Sequence, residues 1–260
     1  MPTNELMPIV LLLLIGVAFG LITAMTLLVL CLRRREPGTI EPAETGEELR
    51  REGFFVVSPL RAFWRRPGCW LAIRGRNLGL VQEALGLSEV RSCTWSEGLS
   101  SERQLFIAPP CQGWILVFGA GLPDPAEDVD ECFRFLLALS RRVGLVQMFK
   151  ADEALQHHAW AWVQAGRVVR AYGWAGRTLW NQGARTAAEN NLGMKCFSYT
   201  DEPAGVVWGA NDLVAANVDK VPMLASRWSI NPSAIDARFM EASRGVAGRT
   251  APAWRCIATT

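Results

Sequence analysis

The sequence predicts an α+β domain, built on an antiparallel sheet with inserted helices and preceded by one N-terminal transmembrane helix. Three observations support this class: an uncharged stretch near the N-terminus, strand-like segments without regular βαβ alternation, and one segment with the pattern of a β-hairpin. Half of the residues are hydrophobic and a fifth are charged, as in folded globular proteins.

The transmembrane helix is predicted over Met7–Leu32, where no residue is charged. A helix needs about 20 apolar residues to cross a bilayer, and this stretch exceeds that length. Arg33–Arg35 follows at once, whereas the preceding flank carries Glu5 and no Lys or Arg, which is unlike a cleavable signal peptide. The positive-inside rule places the N-terminus outside and the rest of the chain in the cytoplasm. We therefore expect a single-pass protein of the inner (cell) membrane, embedded in the lipid bilayer.

Three small residues lie four apart within this helix, at Gly16, Gly20 and Ala24. Small residues at that spacing allow two transmembrane helices to approach closely. The pattern predicts a homodimer formed through this face of the helix.

The rest of the chain divides by composition. Residues 33–52 form a basic juxtamembrane segment and a linker rich in proline, glycine and glutamate. The soluble α+β domain then covers residues 53–240, and residues 241–260, with little periodicity, are expected to be a mobile tail.

Within the domain, hydrophobic patterns and helix caps predict the individual elements. Strands are expected at Trp70–Arg74, Val90–Trp95, Gln104–Ala108, Trp114–Phe118 and Leu145–Lys150. Helices are expected at Asn77–Leu85, from an Asp124 cap to Gly144, after the Thr186–Glu189 capping box, and at Pro222–Ser229.

The segment from His158 to Trp174 predicts a hairpin with a two-residue turn at Ala165-Gly166. Counting from that turn, Trp162 would face Val169 and Trp160 would face Ala171, so that large side chains oppose small ones. Basic and aromatic residues concentrate on and just after this hairpin. They predict a surface for a protein partner that consists of Trp160, Trp162, Arg170, Tyr172, Trp174 and Arg177.

Other activities receive less support. Basic and aromatic residues also stack nucleic-acid bases, but the net charge is only +2 and no RNA-binding motif occurs, so no nucleic-acid partner is expected. The sequence contains no P-loop, HExxH, GxSxG or calcium-loop motif. The seven cysteines are scattered without a CxxC pair, as is typical of reduced thiols. We expect no metal and no cofactor, and no catalytic residue is assigned.

An alternative hypothesis is an enzyme at the inner membrane face that uses Cys or His chemistry. Cys111, Cys196 and Ser198 are its candidate nucleophiles, since a nucleophile and its base need not be close in sequence. His157 and His158 are the only histidines. Adjacent residues on a strand point to opposite faces, so the two are not expected to share a metal ion.

The hairpin HAWAWVQAGRVVRAYGW, the TAAE capping box and the later VPMLASRWSINP together resemble uncharacterised bacterial proteins with a Trp-rich hairpin. The resemblance covers roughly residues 70 to 235. Some bacterial domains of this kind resemble immunity proteins, which bind and block a toxin. The resemblance therefore implies a binding role, as an immunity or accessory protein, and no particular reaction.

Overall fold

The computed structural model describes residues 68–100, 105–200 and 211–250, all within the second of two units of the chain, Val56–Thr260. The strands are β1 (Cys69–Arg74), β2 (Leu87–Cys93), β3 (Leu105–Ile107), β4 (Trp114–Phe118), β5 (Leu145–Asp152), β6 (His157–Gln164), β7 (Arg167–Trp174), β8 (Thr178–Gln182) and β9 (Gly245–Thr250). The helices are α1 (Leu78–Ala84), α2 (Trp95–Leu99), α3 (Val129–Val143), α4 (Ala187–Asn191), α5 (Asn211–Trp228) and α6 (Ala237–Ala242), with a 3₁₀ turn at Pro232–Ala234.

The nine strands form one sheet in the order β2-β9-β3-β4-β1-β5-β6-β7-β8, and every neighbouring pair is antiparallel. The predicted α+β class with an antiparallel sheet is confirmed. The transmembrane helix and its face of Gly16, Gly20 and Ala24 lie outside the described residues, as does the linker. Among the residues that are described, no helix is long and apolar enough to cross a membrane.

One face of the sheet carries an aromatic row that crosses six adjacent strands in register. Each member lies opposite the next, in the order Phe106, Phe118, Trp70, Phe149, Trp160 and Tyr172. All six are buried, together with apolar residues of α5 such as Leu224 and Ala225. Six of the eight tryptophans in the described residues are buried, so tryptophan here is mainly a residue of the core.

The other face of the sheet is aliphatic and packs against α1 and α3. Leu71, Ile115 and Met148 lie there with Cys132 and Leu136 of α3. Because helices cover both faces of the sheet, the central strands are buried on both sides. Their sequences are therefore continuous runs of apolar residues, as in β4.

Two helices differ from their predicted bounds. The helix expected to begin at Asp124 begins at Val129, because Asp128 is the N-cap and accepts a hydrogen bond from the Glu131 amide at 2.8 Å. The helix expected to start at Pro222 instead runs through it. A proline inside a helix removes one hydrogen bond and strains the turn, and here buried contacts of α5 on the sheet offset that cost.

The prediction of a mobile tail over 241–260 is wrong for β9, which lies between β2 and β3 in the sheet. Its glycines permit close approach to the neighbouring strands. A Cβ at Gly245 would lie 2.4 Å from the Ile107 carbonyl oxygen, and one at Gly248 would lie 2.9 Å from that of Ser88. Low hydrophobicity in this strand therefore reflects tight packing, and not exposure.

The predicted hairpin forms, and its turn is confirmed, since Ala165 and Gly166 both have positive φ and Gln164 pairs with Arg167. The predicted register is wrong beyond the first two pairs. A bulge adds Val169 to β7, so that Trp162 faces Arg170 and Trp160 faces Tyr172. Large side chains therefore oppose large ones on the aromatic face.

Candidate functional site

The six residues predicted to form a contact surface divide between the core and the exterior. Trp160, Arg170 and Tyr172 have no exposed surface and Trp174 is 7% exposed, whereas Trp162 is half-buried and Arg177 is exposed. The surface prediction is wrong for the four buried residues. The bulge in β7 turns Arg170 and Tyr172 onto the covered face of the sheet.

Arg170 is buried with its positive charge neutralised. Its Nε donates to Glu189 Oε1 at 2.8 Å, and its Nη1 donates to Asn181 Oδ1 at 2.8 Å. Glu189 Oε1 also accepts from Trp160 Nε1 at 2.8 Å, while Oε2 accepts from the Thr186 amide at 2.7 Å as part of the capping box. The pair is fully hydrogen-bonded and joins α4 to the hairpin, so its role is structural.

His158 is also buried and has a defined protonation state. The side chain of Asn217 is oriented by the Lys195 backbone, which donates to Oδ1 at 2.9 Å and accepts from Nδ2. Nδ2 therefore donates to His158 Nε2, at 3.1 Å, and places the imidazole proton on Nδ1, which is buried without a hydrogen-bond partner among the described residues. Burial lowers the pKa of His158 to about 4, against a smaller opposing effect of the Gln156 backbone. His158 is neutral at pH 7, with Nε2 occupied.

The cysteines of the described residues are thiols at neutral pH. Burial raises the pKa of Cys69 to about 12 and that of Cys196 to about 11, and Asp124 adds to the effect on Cys69. The pKa values of the other three are raised by the same cause, namely Cys93, Cys111 and Cys132. Nucleophilic cysteines usually have a lowered pKa, so these shifts do not support Cys111 or Cys196 as the nucleophile of the alternative hypothesis. No cluster of three or more His, Cys, Asp or Glu able to hold a metal occurs in the part of the chain that is described.

A shallow depression, too narrow to hold a water molecule, lies at the end of the sheet where the β5–β6 and β7–β8 turns emerge. We call it the turn-end depression. Its lining includes Pro125, Lys150, His157, Trp174 and Leu179. It brings side chains of the loop before α3 together with those of β5 to β8.

The polar groups of the depression are partly paired. The Lys150 ammonium is 8% exposed and forms an ion pair with Asp124, whose other carboxylate oxygen accepts from the Ala126 amide at 2.8 Å. His157 Nδ1 is buried and has no hydrogen-bond partner among the described residues. Although His157 and His158 alternate along β6, both line this depression, because it lies at the end of the sheet and not on one face.

The two turns that flank the depression carry exposed side chains. Leu155, in the β5–β6 turn, is 62% exposed, and Arg177, in the β7–β8 turn, is exposed as well. Of the predicted contact residues, Trp174 and Arg177 therefore meet at this end. Leu155 and Lys150 carried no predicted role, and Asp124 was predicted only as a helix cap. An isolated leucine in a polar turn was the signal available for Leu155.

Comparison of this chain with protein-family models, with curated proteins and with solved structures finds no match. Its functional assignment therefore depends on the sequence and on the geometry of the domain.

Proposed function

We propose that the protein is a membrane-anchored cytoplasmic domain that binds a protein partner at the turn-end depression, in an immunity or accessory role. The anchor is supported by the uncharged stretch Met7–Leu32 and by Arg33–Arg35 after it. The binding role is supported by Leu155, which is the observation that carries this proposal.

Leu155 is a large apolar side chain that is exposed to solvent beside the turn-end depression. At 62% exposure it contributes little to the core, and a protein partner would remove its apolar surface from water. Trp174, which is 7% exposed, and Leu179 line the depression nearby. An exposed apolar side chain of this size can serve as an anchor in a protein interface.

The charges around the depression indicate the chemistry of the partner. Asp124 and Glu127 precede α3, while Asp152 and Glu153 end β5 and begin its turn. The basic groups nearby are Arg177 and the Lys150 ammonium, and the latter is already paired with Asp124. We expect a partner surface with an apolar pocket or side chain for Leu155 and with basic residues around it.

Photo-crosslinking in membranes of living cells tests the partner site. A photoreactive amino acid at Leu155 is expected to capture a discrete protein, whereas the same group at Tyr199, which is 63% exposed elsewhere, is not. Leu155→Gln should abolish capture of that protein by a second crosslinker at Arg177, without a change in thermal stability. Met223→Gln, at a 51% exposed position, is the matched control and should leave capture intact. Equal capture at Leu155 and Tyr199 would overturn the proposed site.

The anchor and its orientation are tested separately. The chain should resist extraction from membranes by alkaline carbonate, and protease added to intact cells should leave residues 56–260 undigested. Release by carbonate would overturn the anchor, and digestion from outside would overturn the cytoplasmic orientation.

A further inference from the structure

The domain has two ends, defined by the strand register. The turn-end depression lies where β5 and β7 end, since His158 pairs with both Ala151 and Trp174. The opposite end lies where β5 and β7 begin, since Leu145 pairs with Gln164 and Gln164 with Arg167. α3 runs between the two ends, because Gly144 joins its last turn directly to β5.

Exposed arginines collect at the opposite end, which we call the arginine end. Arg167 opens β7, Arg74 closes β1, and Arg76 follows two residues later. The last turn of α3 contributes Arg141 and Arg142, and the last turn of α5 contributes Arg227. All six side chains are exposed.

Two contacts locate the helix ends at this end of the sheet. A Cβ on Gly166, in the β6–β7 turn, would lie 2.6 Å from Arg141 Cγ, so this side chain covers the turn beside Arg167. The α5 terminus is located there by the Trp228 carbonyl, which accepts from Gln147 Nε2 at 3.3 Å.

Acidic residues are concentrated at the other pole. Glu83 lies at the arginine end, where it pairs with Arg142 at 3.2 Å. The loop and first turn of α3, together with the end of β5, hold a cluster at the turn end that consists of Asp124, Glu127, Asp128, Asp130, Glu131, Asp152 and Glu153. The two ends of the sheet therefore differ in the sign of the charge that is concentrated there.

We propose that the arginine end docks on an anionic bilayer surface, through the lipid phosphate groups. Guanidinium groups bind phosphate in a bidentate manner, and clustered arginines near a membrane are attracted to its anionic lipids. The acidic pole would be repelled by the same surface, so the two poles together orient the domain and leave the turn-end depression directed away from the lipid. The inference rests on the proposed function in one respect, namely that the chain resides at a membrane.

Nucleic acid is the other polyanion that such an end would attract. Binding to single-stranded nucleic acid combines basic groups with exposed aromatic rings that stack on bases. At the arginine end, Trp114 is 5% exposed and lies under the Arg74 guanidinium, 5.1 Å from its ring centroid. Trp162 is half-buried against Trp228, with ring centroids 5.5 Å apart. The rings are therefore occupied, and the geometry favours the lipid surface.

The test uses the full chain in lipid nanodiscs and measures energy transfer from a dye on the domain to a labelled lipid headgroup. The dye is attached through a noncanonical amino acid at Gln164, at the arginine end, or at Leu155, at the turn end. In discs with about one third phosphatidylglycerol, transfer should be strong from position 164 and weak from position 155. In pure phosphatidylcholine discs, or at high salt, this difference should disappear.

Charge-matched variants assign the effect to the arginine end. The triple variant Arg76→Gln/Arg141→Gln/Arg167→Gln should lower the ratio of docked to undocked domain about a hundredfold, from about fivefold per arginine near an anionic surface. The control Arg177→Gln/Arg238→Gln/Arg249→Gln loses the same charge elsewhere and should retain docking.

Transfer that is independent of lipid charge, or equal loss in both triple variants, would overturn the inference. So would tight binding of a single-stranded RNA probe that the first triple variant abolishes while the discs show no dependence on lipid charge. Failure of the anchor is distinguishable, because the chain would then not copurify with phosphatidylcholine discs. Failure of the partner site would appear only in the crosslinking at Leu155.

Discussion

Replacement of Glu189 by leucine would leave the Arg170 guanidinium buried without its counter-charge. Both side chains have at most 1% exposure and lie 2.8 Å apart, so water cannot replace the lost partner without opening the core. Removing one partner of a buried ion pair typically lowers the free energy of unfolding by about 3–5 kcal/mol. That is a large part of the total free energy of unfolding of a domain, which is about 5–15 kcal/mol. Trp160 Nε1 and the Thr186 amide would lose their acceptor as well.

A second variant separates the charge from the lost hydrogen bonds. Arg170→Met/Glu189→Leu also lacks the acceptor for Trp160 and Thr186, but it contains no unpaired charge. We expect the double variant to be more stable than Glu189→Leu alone. Its loss should fall short of the sum of the two single losses by about 1–3 kcal/mol, which is the coupling energy.

Equilibrium urea unfolding of the full chain in detergent, followed by circular dichroism, measures these differences. The reasoning would be refuted by a loss below about 1 kcal/mol in Glu189→Leu, or by a double variant whose loss equals the sum of the two single losses.

The remaining predictions concern protonation, packing and thiol reactivity. The pKa of His158 is lowered to about 4 from 6.5, so the unfolded chain binds its proton more strongly. Its contribution to stability is present above pH 6.5 and should fall by up to about 3 kcal/mol as the pH drops to 4, and urea titrations of His158→Gln should lack this slope. Gly98→Ala would place a Cβ 2.1 Å from Phe106 Cδ2 and should lower the free energy of unfolding by about 1–3 kcal/mol. Gly79→Ala, with no contact under 3.4 Å, should instead stabilise α1 by up to about 1 kcal/mol. Thermal melts of the two variants measure both effects. Because burial raises the pKa of Cys196 to about 11, iodoacetamide should label this thiol slowly at neutral pH and rapidly in urea; fast labelling of the folded chain, seen by peptide mapping, would contradict that assignment.

The sequence predicted correctly those turns and helix ends that depend on interactions between residues close together in the chain. The Ala165-Gly166 turn follows from residues that tolerate positive φ, and the Thr186–Glu189 box follows from a side chain that caps its own helix. A second capping box, Thr94–Glu97, has the same signature and ends the predicted strand two residues early, at Cys93. That boundary was readable from the sequence and was missed.

The candidate site was less predictable, because burial depends on how the strands pair. A bulge at one residue, Val169, changes which side chains of β7 oppose Trp160 and Trp162. The composition of the hairpin indicated aromatic and basic groups but not which of them the helices cover. Leu155 and Lys150 become candidate site residues only once the fold brings the turns and the loop before α3 together at one end of the sheet.

The sequence by itself determined the uncharged N-terminal stretch, the α+β class, the hairpin turn and most strand positions, since these depend on hydrophobic order and on short-range hydrogen bonds. Only the tertiary structure decided that Arg170 lies in the core, that Gly245–Thr250 is a strand, and that arginines and acids are concentrated at opposite ends. Each of these depends on partners far apart in the chain, such as β9 between β2 and β3. Their pairing is selected by packing and by neutralisation of buried charge, which no local pattern encodes.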